Sequence, residues 1–213
     1  MKTFLRFLVL SVVGFVLGAA LALVQVRSQR PAAIVISKAA SRPAAPMEGN
    51  ALVGGAFSLT DHTGKPVTEK SWPGKYKLVF FGFTHCPDTC PATLQKIASL
   101  MQQFDPKGEK IVPLFITVDP ERDTADAMAK YVSNFGHSIV GLTGTEAQIK
   151  DVEEVYKVYA ARQPGQTKGE YAEYMEDHSA FIYLMSPDDK LLQTISFDEP
   201  AEGMIAKVKE SVK

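Results

Sequence analysis

The chemistry this sequence offers is concentrated in two thiols separated by three residues. Thr84-His85-Cys86-Pro87-Asp88-Thr89-Cys90-Pro91 contains both cysteines of the 213-residue chain. Such a pair can hold a soft metal ion or close to a disulfide. Positions four apart on a turn or helix place their Cα atoms about 6 Å apart, inside the range a disulfide permits. The same spacing lets both sulfurs approach one metal ion. A buried, chemically silent role for both is disfavoured, because they share one short, proline-bounded loop.

A metal ion needs more than two thiolates. The remaining candidates are His62, His85, His137 and His178, with Asp88. His85 adjoins Cys86 at a strand end, where neighbouring side chains point apart, so it reads as exposed or as support. His62, in the turn Asp61-His62-Thr63-Gly64, and His137, in Phe135-Gly136-His137-Ser138, read as solvated. His178 closes a polar segment and opens a run of strand character. A strand-edge histidine that returns toward a central-strand loop completes a three-ligand site, and spacing alone leaves that open beside a purely structural role.

Several elements must position these groups. Lys77–Phe83 is apolar and reads as a buried strand, and Ala92–Phe104 reads as an amphipathic helix. Pro91 suits the first helical turn. Cys90 then falls at or near the N-cap, where helix N–H groups and the dipole favour a thiolate. Upstream, Phe57–Thr60 and Pro66–Thr68 form a hairpin. Downstream, Ile111–Val118 is a strand, a helix capped by Thr124 runs to about Phe135, and Ile139–Leu142 is a short strand. A helix follows over Glu146–Tyr159, with Thr145 to Gln148 forming a capping box. Arg162–Asp177 reads as a long surface loop. Ser179–Met185 and Leu191–Ser196 form a second hairpin, and Pro200–Val212 is a closing helix. This order predicts an α/β fold with a central mixed sheet covered on both faces. Sites in such sheets sit at the C-terminal ends of strands, where the cysteine loop lies.

The formal net charge is −1 and there is no basic stripe, so nothing points to nucleic-acid binding. The N-terminus reads as a membrane segment. Lys2 and Arg6 precede an apolar run, Phe7–Val26, whose length suits a bilayer's hydrocarbon core of roughly 20 residues. Ala20-Leu21-Ala22 offers a cleavage site, but the length of the run favours an uncleaved anchor. Three parts are expected: an anchor or signal segment over 1–26, a flexible Ala/Pro/Ser-rich tether over 27–50, and a globular domain over 51–213. The location expected is the cytoplasmic membrane, through a single N-terminal span, with the globular domain on the periplasmic side.

Three segments carry a family resemblance. Phe81-Gly-Phe-Thr-His-Cys-Pro-Asp-Thr-Cys-Pro-Ala-Thr-Leu94 resembles the signature loop of the Sco/SenC family, the copper proteins of cytochrome c oxidase assembly. Thr117-Val-Asp-Pro-Glu-Arg-Asp-Thr124 resembles the family's segment after the next strand, and Asp177-His-Ser-Ala-Phe-Ile-Tyr-Leu184 its histidine segment. The resemblance implies a thioredoxin-like fold, copper bound by Cys86, Cys90 and His178, and a copper-accepting oxidase subunit as partner to a monomeric chain. Asp188-Asp189-Lys190 departs from the pattern, since a glycine is usual in that hairpin. The chemistry agrees with copper. Two thiolates and an imidazole are soft to borderline ligands suited to Cu(I) and tolerable for Cu(II). Structural zinc normally takes four protein ligands, and the chain has no third cysteine. Asp88 and Asp119 are candidates to hydrogen-bond near the site. Glu121 and Arg122 read as parts of a helix-start turn with an internal ion pair.

The resemblance implies a metallochaperone that also reduces its acceptor's cysteines. The alternative is an enzyme, a membrane-tethered thiol–disulfide oxidoreductase whose redox pair is Cys86 and Cys90. A peroxide-reducing thiol enzyme is a third class. His178 separates them, because a metal site needs it and a dithiol exchanger does not.

Overall fold

The computed structural model describes residues 53–136, 138–163, 175–178 and 181–213, with 161–163 and 175–178 as backbone. The expected anchor at Phe7–Val26, the tether and His137 lie outside the described residues. Among the described residues, no helix is long and apolar enough to cross a membrane.

The strands are β1 (Ser58–Asp61), β2 (Pro66–Thr68), β3 (Tyr76–Gly82), β4 (Ile111–Thr117), β5 (Val140–Thr143), β6 (Ala160–Gln163), β7 (Met175–His178), β8 (Phe181–Met185) and β9 (Leu191–Ser196). The helices are α1 (Thr89–Phe104), α2 (Ala125–Val132), α3 (Glu146–Tyr156) and α4 (Ala201–Ser211). Seven strands make the main sheet in the order β2-β1-β5-β4-β3-β8-β9, and β6 with β7 makes a separate ribbon. β3, β4 and β5 are parallel, with Tyr76 to Gly82 paired to Ile111 to Thr117 in register. The other pairings are antiparallel. The expected mixed sheet covered on both faces is what forms.

β3 is buried at every position from Lys77 onward because it lies near the middle of the sheet. Successive side chains point to opposite faces. Leu78 and Phe80 pack with Leu94 and Ile97 of α1, Met128 of α2 and Met204 and Val208 of α4. Val79 and Phe81 pack with Leu59, Val67 and Ile149, Val152 and Tyr156 of α3. Two apolar layers therefore clamp the strand that carries the cysteine loop.

Local signals set the helix ends. Thr124 Oγ1 accepts from Ala127 N–H, and Thr145 and Gln148 form the expected capping box. Lys157, in the left-handed region at φ 56°, ends α3 before the expected Tyr159. Asp105 turns the chain from α1 into β4, its buried carboxylate accepting from the N–H groups of Glu109, Lys110 and Ile111.

One expectation needs correction. The segment Arg162–Asp177, read as loop, is ribbon at both ends: Ala160 to Gln163 pairs with His178 to Met175. His178 therefore ends β7 instead of opening β8.

Candidate metal centre

The cysteine loop leaves the C-terminal end of β3 and runs into α1. Its start is held by backbone bonds: Val118 N–H donates to Gly82 O at 2.9 Å and Cys86 N–H to Phe83 O at 3.2 Å. Asp88 is the N-cap, Cys90 the second residue of α1, and Pro91 sits in the first turn as expected. Both cysteines are present as thiols. Cys86 is half-buried and Cys90 fully buried. The backbone N–H of Cys90 donates to Cys86 Sγ at 3.4 Å.

That bond reverses the expected electrostatics. The sulfur served by the helix N-terminus is that of Cys86. Hydrogen bonding to Cys86 and then burial push the Cys90 thiol well above its ordinary pKa, with further contributions from charge on Cys86 and Asp123. Cys90 lies under α1, against the sheet. A Cβ added to Gly82 would come within 2.7 Å of Cys90 Sγ and 2.8 Å of Phe115 Cε2. Glycine at position 82 is what lets the sulfur reach the strand.

A carboxylate that the sequence reading passed over organises the loop. Asp123 is fully buried. One oxygen accepts from Thr84 Oγ1 at 2.5 Å, and the other from Thr84 N–H at 3.0 Å and Thr117 Oγ1 at 2.6 Å. Thr143 Oγ1 donates to the Asp123 carbonyl at 2.7 Å. Asp123 thus ties the start of the cysteine loop to the ends of β4 and β5. The available signal was Thr84, Thr117 and Thr143, at or just past the ends of β3, β4 and β5, together with the acid of the Thr117–Thr124 segment.

The other candidates fall as follows. His85 is exposed, with Nδ1 3.0 Å from Thr84 Oγ1 and 3.9 Å from Asp123 Oδ1. Asp88 is exposed and its side chain makes no capping bond. Asp119 is buried and pairs with Arg122, whose guanidinium lies 5.8 Å from the Phe83 ring centre. The helix-start turn therefore holds an ion pair, and its acid is Asp119. His62 is not simply solvated: Gly141 N–H donates to its Nδ1 at 3.0 Å, and its own N–H donates to Gly141 O at 2.8 Å. It stitches the β1 turn to β5.

The backbone of His178 pairs with Ala160, and its side chain lies outside the described residues. Ala160 shares the wall of a cavity of about 500 Å³ with Val118 and Pro120, at the end of β4 that Val118 joins to Gly82. The root of the ribbon thus stands at the same end of the sheet as the cysteine loop. Among the described residues, no group of three or more His, Cys, Asp or Glu side chains forms a metal cage. The described donors are the two sulfurs, which suit a soft ion.

A mixed sheet with a dithiol loop between its central strand and a covering helix defines the class: a thioredoxin-like α/β protein of the Sco type, with copper-bound Arabidopsis thaliana ScoI as a structural neighbour at 40% identity and a TM-score of 0.68. That neighbour covers 74% of this chain and 96% of its own. The chain belongs to the SCO1/SenC family, whose model matches residues 45–213. It is 40% identical over 166 residues to mitochondrial protein SCO2 of Saccharomyces cerevisiae, covering 78% of this chain and 54% of the yeast protein. The chain spans about half the length of the curated relatives it matches first. A bacterial likeness is copper-bound ScoI of Bradyrhizobium japonicum, at 42% identity and a TM-score of 0.67, covering 74% of this chain and 98% of that one.

Proposed function

We propose that this chain is a copper metallochaperone for cytochrome c oxidase assembly, with Cys86, Cys90 and His178 as the ligands and copper as cargo. The observation that carries the reading is the dithiol at the open end of the sheet: Cys86 half-exposed, Cys90 buried beneath it, and the backbone of His178 returning to the same end. Copper in two related structures of about 40% identity supports it. Two thiolates grip Cu(I), and a third, neutral ligand leaves the site open enough for an acceptor's ligands to enter. Loading exchanges two thiol protons for one cation without transfer of electrons.

The dithiol also serves the acceptor before loading. Cys86, the accessible sulfur, attacks an acceptor disulfide; Cys90 then displaces the mixed disulfide. The acceptor gains two electrons as thiols, and the Cys86–Cys90 pair is left as a disulfide. Copper in the related structures favours metal handling over bare thiol exchange.

Residues 1–26 anchor the chain in the cytoplasmic membrane, 27–50 are the tether, and 51–213 form a monomeric copper-binding domain on the periplasmic side. A flexible tether of that length spans about 25 to 30 Å, which keeps the site within reach of a membrane oxidase subunit. In a deletion strain under copper limitation, assembled oxidase activity falls and added copper partly restores it. Normal activity in that strain would refute the chaperone role and raise the exchange alternative.

A further inference from the structure

Tyr131 of α2 packs against the apolar cluster that contains Cys90. Its ring packs between Phe115 and Phe135, with centroids 5.6 Å and 5.4 Å away. The Phe115 ring edge and Cys90 Sγ converge on Gly82. Tyr131, Phe115, Cys86 and Cys90 therefore belong to one apolar cluster. The Tyr131 hydroxyl is buried and has no hydrogen-bond partner among the described residues.

A buried phenol without an acceptor is costly, and phenylalanine would fill the same space without that cost. The oxygen needs an acceptor that the thiol form of the site does not provide. A phenol is protonated at working pH, so the hydroxyl is a donor, and its ring packs on the apolar cluster that holds Cys90. The Asp123 carboxylate already accepts from Thr84 and Thr117. The sulfurs are the acceptors that gain negative charge when the site loads.

We propose that the Tyr131 hydroxyl donates a hydrogen bond to the thiolate sulfur of the copper-loaded centre, so that Tyr131 is a positioning residue that stabilises the loaded state over the thiol state. This rests on the copper reading above. A donor to a ligating sulfur withdraws charge from it and tunes metal affinity and electronic structure.

The test is Tyr131→Phe in the full chain, which removes one oxygen and keeps the ring. The reduced, copper-free variant unfolds at the same temperature as the parent or higher, because an orphaned polar group has gone. Its Cu(I) affinity, measured by chelator competition, falls about tenfold, the scale of one hydrogen bond to a charged acceptor. The sulfur-to-Cu(II) charge-transfer band moves to lower energy, which a purely structural role would not cause. An unmoved band, unchanged affinity, or loss of stability in the reduced copper-free variant would each overturn the proposal. A parent chain that binds no copper would overturn the metal reading itself. A parent that binds, with a variant indistinguishable from it, overturns only the role of Tyr131.

Discussion

Asp123 holds Thr84 twice, through its backbone N–H at 3.0 Å and its hydroxyl at 2.5 Å. Because Thr84 lies two residues before Cys86, the buried carboxylate sets where the cysteine loop begins. Asp123→Ala leaves the Thr84 N–H and the Thr84 and Thr117 hydroxyls without their acceptor. The expected loss is about 3 kcal/mol, roughly 1 kcal/mol for each bond. For a domain of this size that lowers the unfolding temperature by about 6 to 12 °C. Calorimetry checks this, and an unchanged midpoint would show that the loop is held by other means.

The two sulfurs differ in access, so they should differ in reactivity. Native alkylation with a small reagent at neutral pH should label Cys86 first, with Cys90 labelled only on unfolding. Without copper, oxidation should join the pair within one chain, since their spacing suits a disulfide. Peptide mass spectrometry reads both outcomes. Preferential labelling of Cys90 in the folded chain would contradict the packing of its sulfur against Gly82 and Phe115.

Most of the fold was legible because the hydrophobic pattern and the caps agree. The apolar run before Cys86 could only be a doubly covered strand, and Thr124 and Thr145 announced their helices. The β6–β7 ribbon was not legible. Ala160-Ala-Arg-Gln163 and Met175-Glu-Asp-His178 lack apolar alternation, and the ribbon is recognised by its backbone pairing. The cysteine site was legible from spacing, but its polarity was not. A position at the helix N-terminus suggested a thiolate at Cys90, whereas the N–H of Cys90 points at Cys86. Asp123 was missed because its role depends on threonines 39 and six residues away.

The hairpin that departs from the family's usual glycine has a compensation. Asp189 adopts φ 60° and its carboxylate meets Lys77 Nζ at 2.5 Å. The Lys77 side chain is only 1% exposed, deep beneath the sheet's end. Asp189→Gly relieves the backbone but leaves a buried ammonium without its carboxylate, so the net effect should be destabilisation of about 3 kcal/mol. Adding Lys77→Met should recover most of it. Urea unfolding of the single and double variants checks this, and a glycine variant as stable as the parent would show that the pair contributes nothing.

Burial pushes the Tyr183 hydroxyl up to about 12 from an ordinary 10.0. Below pH 10 the folded and unfolded chains both keep that proton. Between about pH 10 and 12 the unfolded chain releases it while the folded chain does not, so stability falls as pH rises. Tyr183→Phe should flatten the decline of unfolding free energy measured from pH 9 to 11.5. An identical slope in the variant would show that Tyr183 does not titrate differently on folding.

The ligand set is tested most directly by equilibrium dialysis of the reduced, full-length chain against buffered Cu(I), beside Cys86→Ser, Cys90→Ser and His178→Ala. One copper per parent chain is expected, with each variant weakened more than about a hundredfold, beyond what loss of a supporting contact causes. Full copper affinity in His178→Ala would contradict the three-ligand centre.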